Sequence, residues 1–159
     1  MNWKIWELIS IVLSTLVTGV FWGPWVALSR SISTFAPEVF LAIVNRLSRN
    51  IAPVMTVLMP AALLSMVPVL FLSFNEGPRT FYLTFAGFAW FLAAPLVTTI
   101  VEAPIVKQIE TWSVSTLPGN WQERRDRWLA FHVIRVLASV AGLDTVSRIP
   151  IRRQLSRFV

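Results

Sequence analysis

Four long apolar runs, near residues 5–28, 51–74, 80–101 and 128–146, constrain this chain more than any other feature. A bilayer's hydrocarbon core is about 30 Å thick, and a helix needs about 20 predominantly apolar residues to cross it. Inside that core no water satisfies backbone N–H and C=O groups, so each run must bond within itself as a helix. The expected fold is all-α, an integral membrane four-helix bundle. A greasy soluble domain fails on supply. With 55% of residues hydrophobic, 14% charged and a mean hydropathy of +0.65, too few polar side chains remain to coat an aqueous surface.

The net charge of +6 does not point to nucleic acid, because the basic residues fall between and after the apolar runs. There they meet anionic headgroups and set orientation, so the lipid bilayer is the first expected partner. Eight tryptophans fit the same boundary. The chain has no cysteine, which excludes disulfides, thiolate ligands and c-type haem attachment. Lys4 is the whole of the basic n-region, so the first run reads as a retained helix and not a signal peptide. Residues 1–143 form the expected four-span domain, and 144–159, with Arg148, Arg152, Arg153 and Arg157, a basic amphipathic tail on the membrane surface. Four spans put both termini on one side. Weighting the short loops places the two odd connections in the cytoplasm, as in a bacterial inner-membrane protein.

The first run carries Thr15, Gly19, Gly23 and Ala27, each four apart and therefore on one helix face. Small residues at that spacing let a second helix approach closely. Packing inside the bundle is the plainer use of this ladder; a homo-oligomer seam or a membrane-protein partner is the other. In the first connection Pro37 and Glu38 suit a first helical turn, and Phe40, Ile43, Val44 and Leu47 share a face. That pattern predicts a separate amphipathic helix lying in the interface between spans one and two. The second run holds Pro53, Pro60 and Pro68 together with Met55, Met59 and Met66. Thioethers at helical spacing suit a soft metal, but methionine more commonly fills irregular packing, and no metal is expected. Asn75-Glu-Gly-Pro78 predicts a tight turn between antiparallel helices.

Ionisable groups at membrane depth are costly and mark functional places by default. Glu102 ends the third run, four residues after Thr98 and flanked by Pro95 and Pro104. In the fourth, Arg124, Trp128, His132, Arg135 and Ser139 follow one face, and His132 is the single histidine. One reading makes Glu102 and Arg135 a buried pair that fixes helix register, with His132 a bystander. The other makes His132 a proton acceptor, Glu102 the group that sets its tautomer, and Arg135 the partner of a forming anion. One histidine and one glutamate fall short of an iron or copper ligand set, so no cofactor is expected.

In order along the chain, TGVFWGPWVALS, VFLAIVNRLSRNIAPVM, the helix-three exit at Pro104 and the run Trp121, Arg124 or Arg125, Trp128, His132, Arg135 resemble the anthrone-oxygenase-like family of small four-helix membrane proteins. Where that family has Asn-x-Pro-x-Asn, this chain has Glu102-Ala-Pro104-Ile-Val106. The resemblance implies cofactor-independent oxidation by O2 of a planar, lipophilic phenolic or quinone-type small molecule. His132 is then the base, Arg135 the enolate partner, and Glu102 their carboxylate. Trp128, Thr98, Trp90 and Phe91 become substrate-binding, the last two as a stacking wall. The alternative is a non-catalytic accessory subunit of a membrane complex. A small transporter is disfavoured by the absence of an internal repeat.

Overall fold

The computed structural model describes residues 3–28 and 31–156, with side-chain surroundings given from Lys4 to Ser147. Helix α1 covers Trp3–Leu28, α2 Pro37–Phe74, α3 Pro78–Val97, α4 Ala103–Glu110 and α5 Trp121–Ser156. Short 3-10 turns at Ile32–Thr34 and Val114–Thr116 bridge the two odd connections, and a π-helical segment, Thr98–Glu102, joins α3 to α4. Four helical stretches, Lys4–Leu28, Pro37–Phe74, Pro78–Glu110 and Trp121–Ser147, are long and apolar enough to cross a membrane.

The distribution of polarity fits that setting. Leu64, Phe71, Val57 and Ile100 point outward, while Ser10, Ser14, Ser65, Ser73, Thr84 and Ser139 are buried. Most of these inner hydroxyls donate to carbonyls of their own helix, as Ser10 to Glu7 O and Ser139 to Val136 O do. Large apolar side chains outside, and inner hydroxyls bonded within their own helices, are compatible with a solvent of hydrocarbon.

The interfacial helix expected ahead of span two is not separate. Pro37 at the first turn starts a single 38-residue helix that runs through all three inner prolines to Phe74. At about 1.5 Å per residue it spans about 57 Å, well beyond the bilayer core, so its first turns extend past the hydrocarbon. The apolar face is real but has another use. Phe40, Leu41 and Val44 pack on Ile105 and Ile109 of α4 and Trp128 of α5 instead of lying on lipid. Helices α4 and α5 cover that face.

Gly77 turns the chain between α2 and α3 with φ at 109°, a conformation that side chains with a Cβ rarely adopt. At the other end Arg125 ties the α1–α2 connection to α5: it is buried, donates to Ser33 O at 3.2 Å and lies over the Trp121 ring.

Two apolar clusters result. One fills the middle of the bundle, with Val17, Phe21, Met59, Met66, Phe91, Ala94, Val136 and Val146; the other, around Ile32, Phe40, Val44, Ile109 and Trp128, fills the end where the odd connections lie. The close helix contact is between α3 and α5. A Cβ added to Gly142 would sit 2.9 Å from Phe91 N, and one added to Gly87 would sit 3.0 Å from Val146. The Thr15–Gly19–Gly23–Ala27 ladder faces outward instead, and nothing lies within 4 Å of a Cβ built on Gly19 or Gly23. It packs no helix within the bundle. Glu7, near the start of α1, is buried. The tail arginines Arg148, Arg152, Arg153 and Arg157 lie outside the described side chains.

Candidate functional site

Pro104 cannot donate to Ile100 O, and its ring crowds that carbonyl. The chain responds by widening one turn. Ala103 N–H reaches back five residues to Thr98 O, the π-helical pattern over Thr98–Glu102. Thr98 Oγ1 and Thr99 Oγ1 each donate to a carbonyl of the preceding turn, Ala94 O and Pro95 O, at 2.9 Å, so the irregular backbone keeps its partners. The widened turn faces Glu102 and Thr98 toward α5.

From α5, the inward face delivers Trp128, His132 and Arg135. Glu102 and Arg135 form an ion pair through Oε2 and Nη1. Arg135 Nη1 also donates to Thr98 Oγ1 at 3.3 Å, and Nη2 lies 2.6 Å from His132 Nδ1. Glu102 Oε1 is 3.6 Å from the same ring nitrogen. The guanidinium carbon sits 4.3 Å from the centre of the Phe21 ring, a cation–π contact from α1. Trp128 stacks on His132 with centroids 5.8 Å apart and planes 27° from parallel. The Glu102 and His132 side chains are 3% and 5% exposed.

A cavity of about 300 Å³ opens against these groups. Phe21 and Pro24 of α1, Val44, Leu47, Ala52, Met55 and Met59 of α2, Ala103 and Val106 of α4, and Trp128 of α5 make its walls. Thr98, Glu102, His132 and Arg135 form its polar floor, and Ser48, Lys107 and Glu110 its mouth. There Ser48 Oγ donates to Glu110 Oε1 at 2.6 Å. The cavity is the seam between the two apolar clusters, since Phe21 and Met59 belong to one, Val44 and Trp128 to the other. A shallower groove of about 570 Å³ on the outer face of α2, along Val39, Ala42 and Ile43, has no buried polar group in its lining.

Five residues singled out in the sequence thus meet: Glu102, His132, Arg135, Thr98 and Trp128. Trp90 and Phe91 do not join them. Trp90 is 55% exposed on the outside of α3, and Phe91 is sealed in the bundle core against Gly142. Neighbours in a helix point about 100° apart, so the pair cannot form one wall. Phe21 and Met59 take that place, and only the packing of α1 and α2 onto α5 brings them there. Met59 and Met55 line the cavity as apolar walls. Among the described residues no group of three or more His, Cys, Asp or Glu stands close enough to hold a metal ion.

Chemically, the floor offers a paired carboxylate and guanidinium and an imidazole stacked on Trp128, beneath largely apolar walls. No family model, curated protein or solved structure matches the chain.

Proposed function

We propose that the cavity binds a planar, lipophilic molecule bearing a phenolic or quinone-type oxygen and that the protein oxidises such a substrate with O2, as the resemblance to anthrone oxygenases implies. The observation that carries the reading is the His132–Arg135–Glu102 cluster at the floor of a cavity with apolar side walls. At 300 Å³ the cavity is at the small end of the range of ligand pockets, about 300–1,000 Å³, and suits a fused-ring molecule with little else attached. In this reading an acidic ring C–H flanked by aromatic rings loses its proton to His132. Arg135 counters the charge left on the oxygen, and the carbanion then reduces O2. The sum, ring CH2 plus O2 giving ring C=O plus H2O, balances without another electron donor. The test is O2 consumption with anthrone by the purified protein in mild detergent. Turnover by the natural protein, lost in His132→Ala with the α-helical circular dichroism retained, supports the reading; no turnover by the natural protein sinks it.

The outward ladder Thr15–Gly19–Gly23–Ala27 favours a second reading, in which the chain is a non-catalytic subunit held to a partner, or to its own copy, through α1. It predicts a detergent-extracted complex that Gly19→Leu dissociates while His132→Ala leaves it whole.

A further inference from the structure

Taking the cavity as a ligand site, as the proposed function does, we infer that α4 is its lid. A ligand reaches the floor when Ala103–Glu110 swings away from α2 on the π-helical turn, and the Ser48–Glu110 hydrogen bond is the latch. The floor is shut in the structure. The Glu102 and His132 side chains are 3% and 5% exposed, and both Glu102 oxygens and His132 Nε2 are buried. Arg135 is little more open, at 14%. Proton exchange needs hydrogen-bond reach, so a wall must give before a ligand in the cavity can meet these groups.

Of the walls, α4 is the least tied. The walls from α1, α2 and α5 belong to helices of 26, 38 and 36 residues, whereas α4 has eight. Irregular backbone flanks it on both sides. The π-helical turn separates it from α3, and extended backbone at Ser113 (φ −121°, ψ 169°) with the Leu117-Pro118-Gly119 break separates it from α5. A widened turn of this kind is where a helix changes direction. Among the described residues, Glu110 with Ser48 is the one side-chain hydrogen bond from α4 to another helix, and it sits on the exposed rim. The rest of the hold is apolar: Ile105 and Ile109 pack with Phe40, Val44 and Trp128. Apolar attraction has no fixed direction, so these contacts permit sliding. The movement also reaches the floor. Glu102 ends the π segment and Ala103 begins α4, so a swing of α4 draws the carboxylate from Arg135 and His132 and uncovers both. Opening the mouth and loosening the ion pair are one motion.

The cysteine-free chain makes the lid measurable without a substrate. Met59 lines the cavity and is buried, whereas Ala62, three residues on, is sealed in the bundle core outside that lining. A single Met59→Cys or Ala62→Cys is modified in mild detergent with methyl methanethiosulfonate. Adding Ser48→Ala or Glu110→Leu to Met59→Cys is expected to speed its modification about three- to tenfold, the size of one lost hydrogen bond. Glu110→Gln, whose amide oxygen still accepts from Ser48, should change the rate by less than about twofold. Ala62→Cys should respond to none of them. No acceleration at Met59→Cys, or equal acceleration at Ala62→Cys, overturns the lid. Hydrogen exchange gives a second check with no substitution in the core. Ser48→Ala should speed exchange in Ala103–Glu110 and leave residues 136–142 of α5 unchanged, and an unaltered α4 counts against the lid. Neither readout involves turnover. Faster modification in the unlatched variants with no anthrone consumption removes the oxidation reading and leaves the lid; anthrone turnover by the natural protein with no effect of unlatching removes the lid alone.

Discussion

Arg135 serves four neighbours at once: the Glu102 carboxylate, Thr98 Oγ1, His132 Nδ1 and the Phe21 ring. A guanidinium does this better than an ammonium because its planar fork donates in several fixed directions while its face stacks on an aromatic ring. The pair's net contribution to stability is small, since burying each ion costs several kcal/mol, but breaking it is expensive. Arg135→Leu leaves the Glu102 carboxylate uncompensated, and a loss of about 3–5 kcal/mol is expected. The double variant Glu102→Leu/Arg135→Leu should recover most of that loss, as read by thermal unfolding in detergent. A double variant as unstable as the single one would show that the pair's packing, not its charge balance, matters. The members of this cluster were legible in the sequence because ionisable residues at membrane depth and a 4, 4, 3 spacing are visible without a structure. Its aromatic wall from α1 was not. Nothing local distinguishes Phe21, which meets the guanidinium, from Phe91, which meets Gly142, and only the way α1 and α3 pack on α5 separates them.

Among the elements, the π segment and α2 show how local rules and packing divide the work. Pro104 predicts irregular backbone at its position, and the structure answers with one widened turn that faces Glu102 inward. The amphipathic pattern of 37–50 was equally readable, but a pattern names an apolar face without naming what covers it. Protein covers it here, so two expected helices are one. Glycines carry the same ambiguity. The GxxxG of Gly19 and Gly23 stands on an outer face, whereas Gly87 and Gly142, which no spacing rule links, hold α3 against α5. Gly142→Leu must force side-chain and backbone shifts at Phe91 and is expected to cost about 1–3 kcal/mol or more, seen as a lower unfolding temperature. Gly19→Leu should leave that temperature unchanged, whatever it does to association. Equal destabilisation by the two would mean that the α1 face is covered in the isolated protein.

For the whole molecule, the apolar outer surface of four long helices is compatible with a bilayer around it. Large outward side chains such as Phe71, 73% exposed, are tolerable only in hydrocarbon or against another chain. The site then has a definite address. Its mouth at Ser48, Lys107 and Glu110 lies toward the two odd connections, and its floor lies deeper along α5. Molecules dissolved in the membrane or held at its surface on that side reach the cavity with the least travel. Which side this is follows from topology, and the chain suits a direct measurement because it has no cysteine of its own. Single cysteines placed at Ser33, Glu76 and Ser115 probe the α1–α2, α2–α3 and α4–α5 connections, all exposed. Four membrane crossings require Ser33→Cys and Ser115→Cys to react on one face with a membrane-impermeant maleimide, and Glu76→Cys on the other. With the arginine-rich odd connections on the inside, as the positive-inside rule predicts, only Glu76→Cys should label in intact cells that produce the protein, with all three labelling after lysis. Labelling of Ser33→Cys and Ser115→Cys alone reverses the orientation and moves the mouth of the cavity to the outer leaflet. Labelling of all three in intact cells contradicts four crossings, and with them the bundle in which Glu102 and Arg135 are shielded from water.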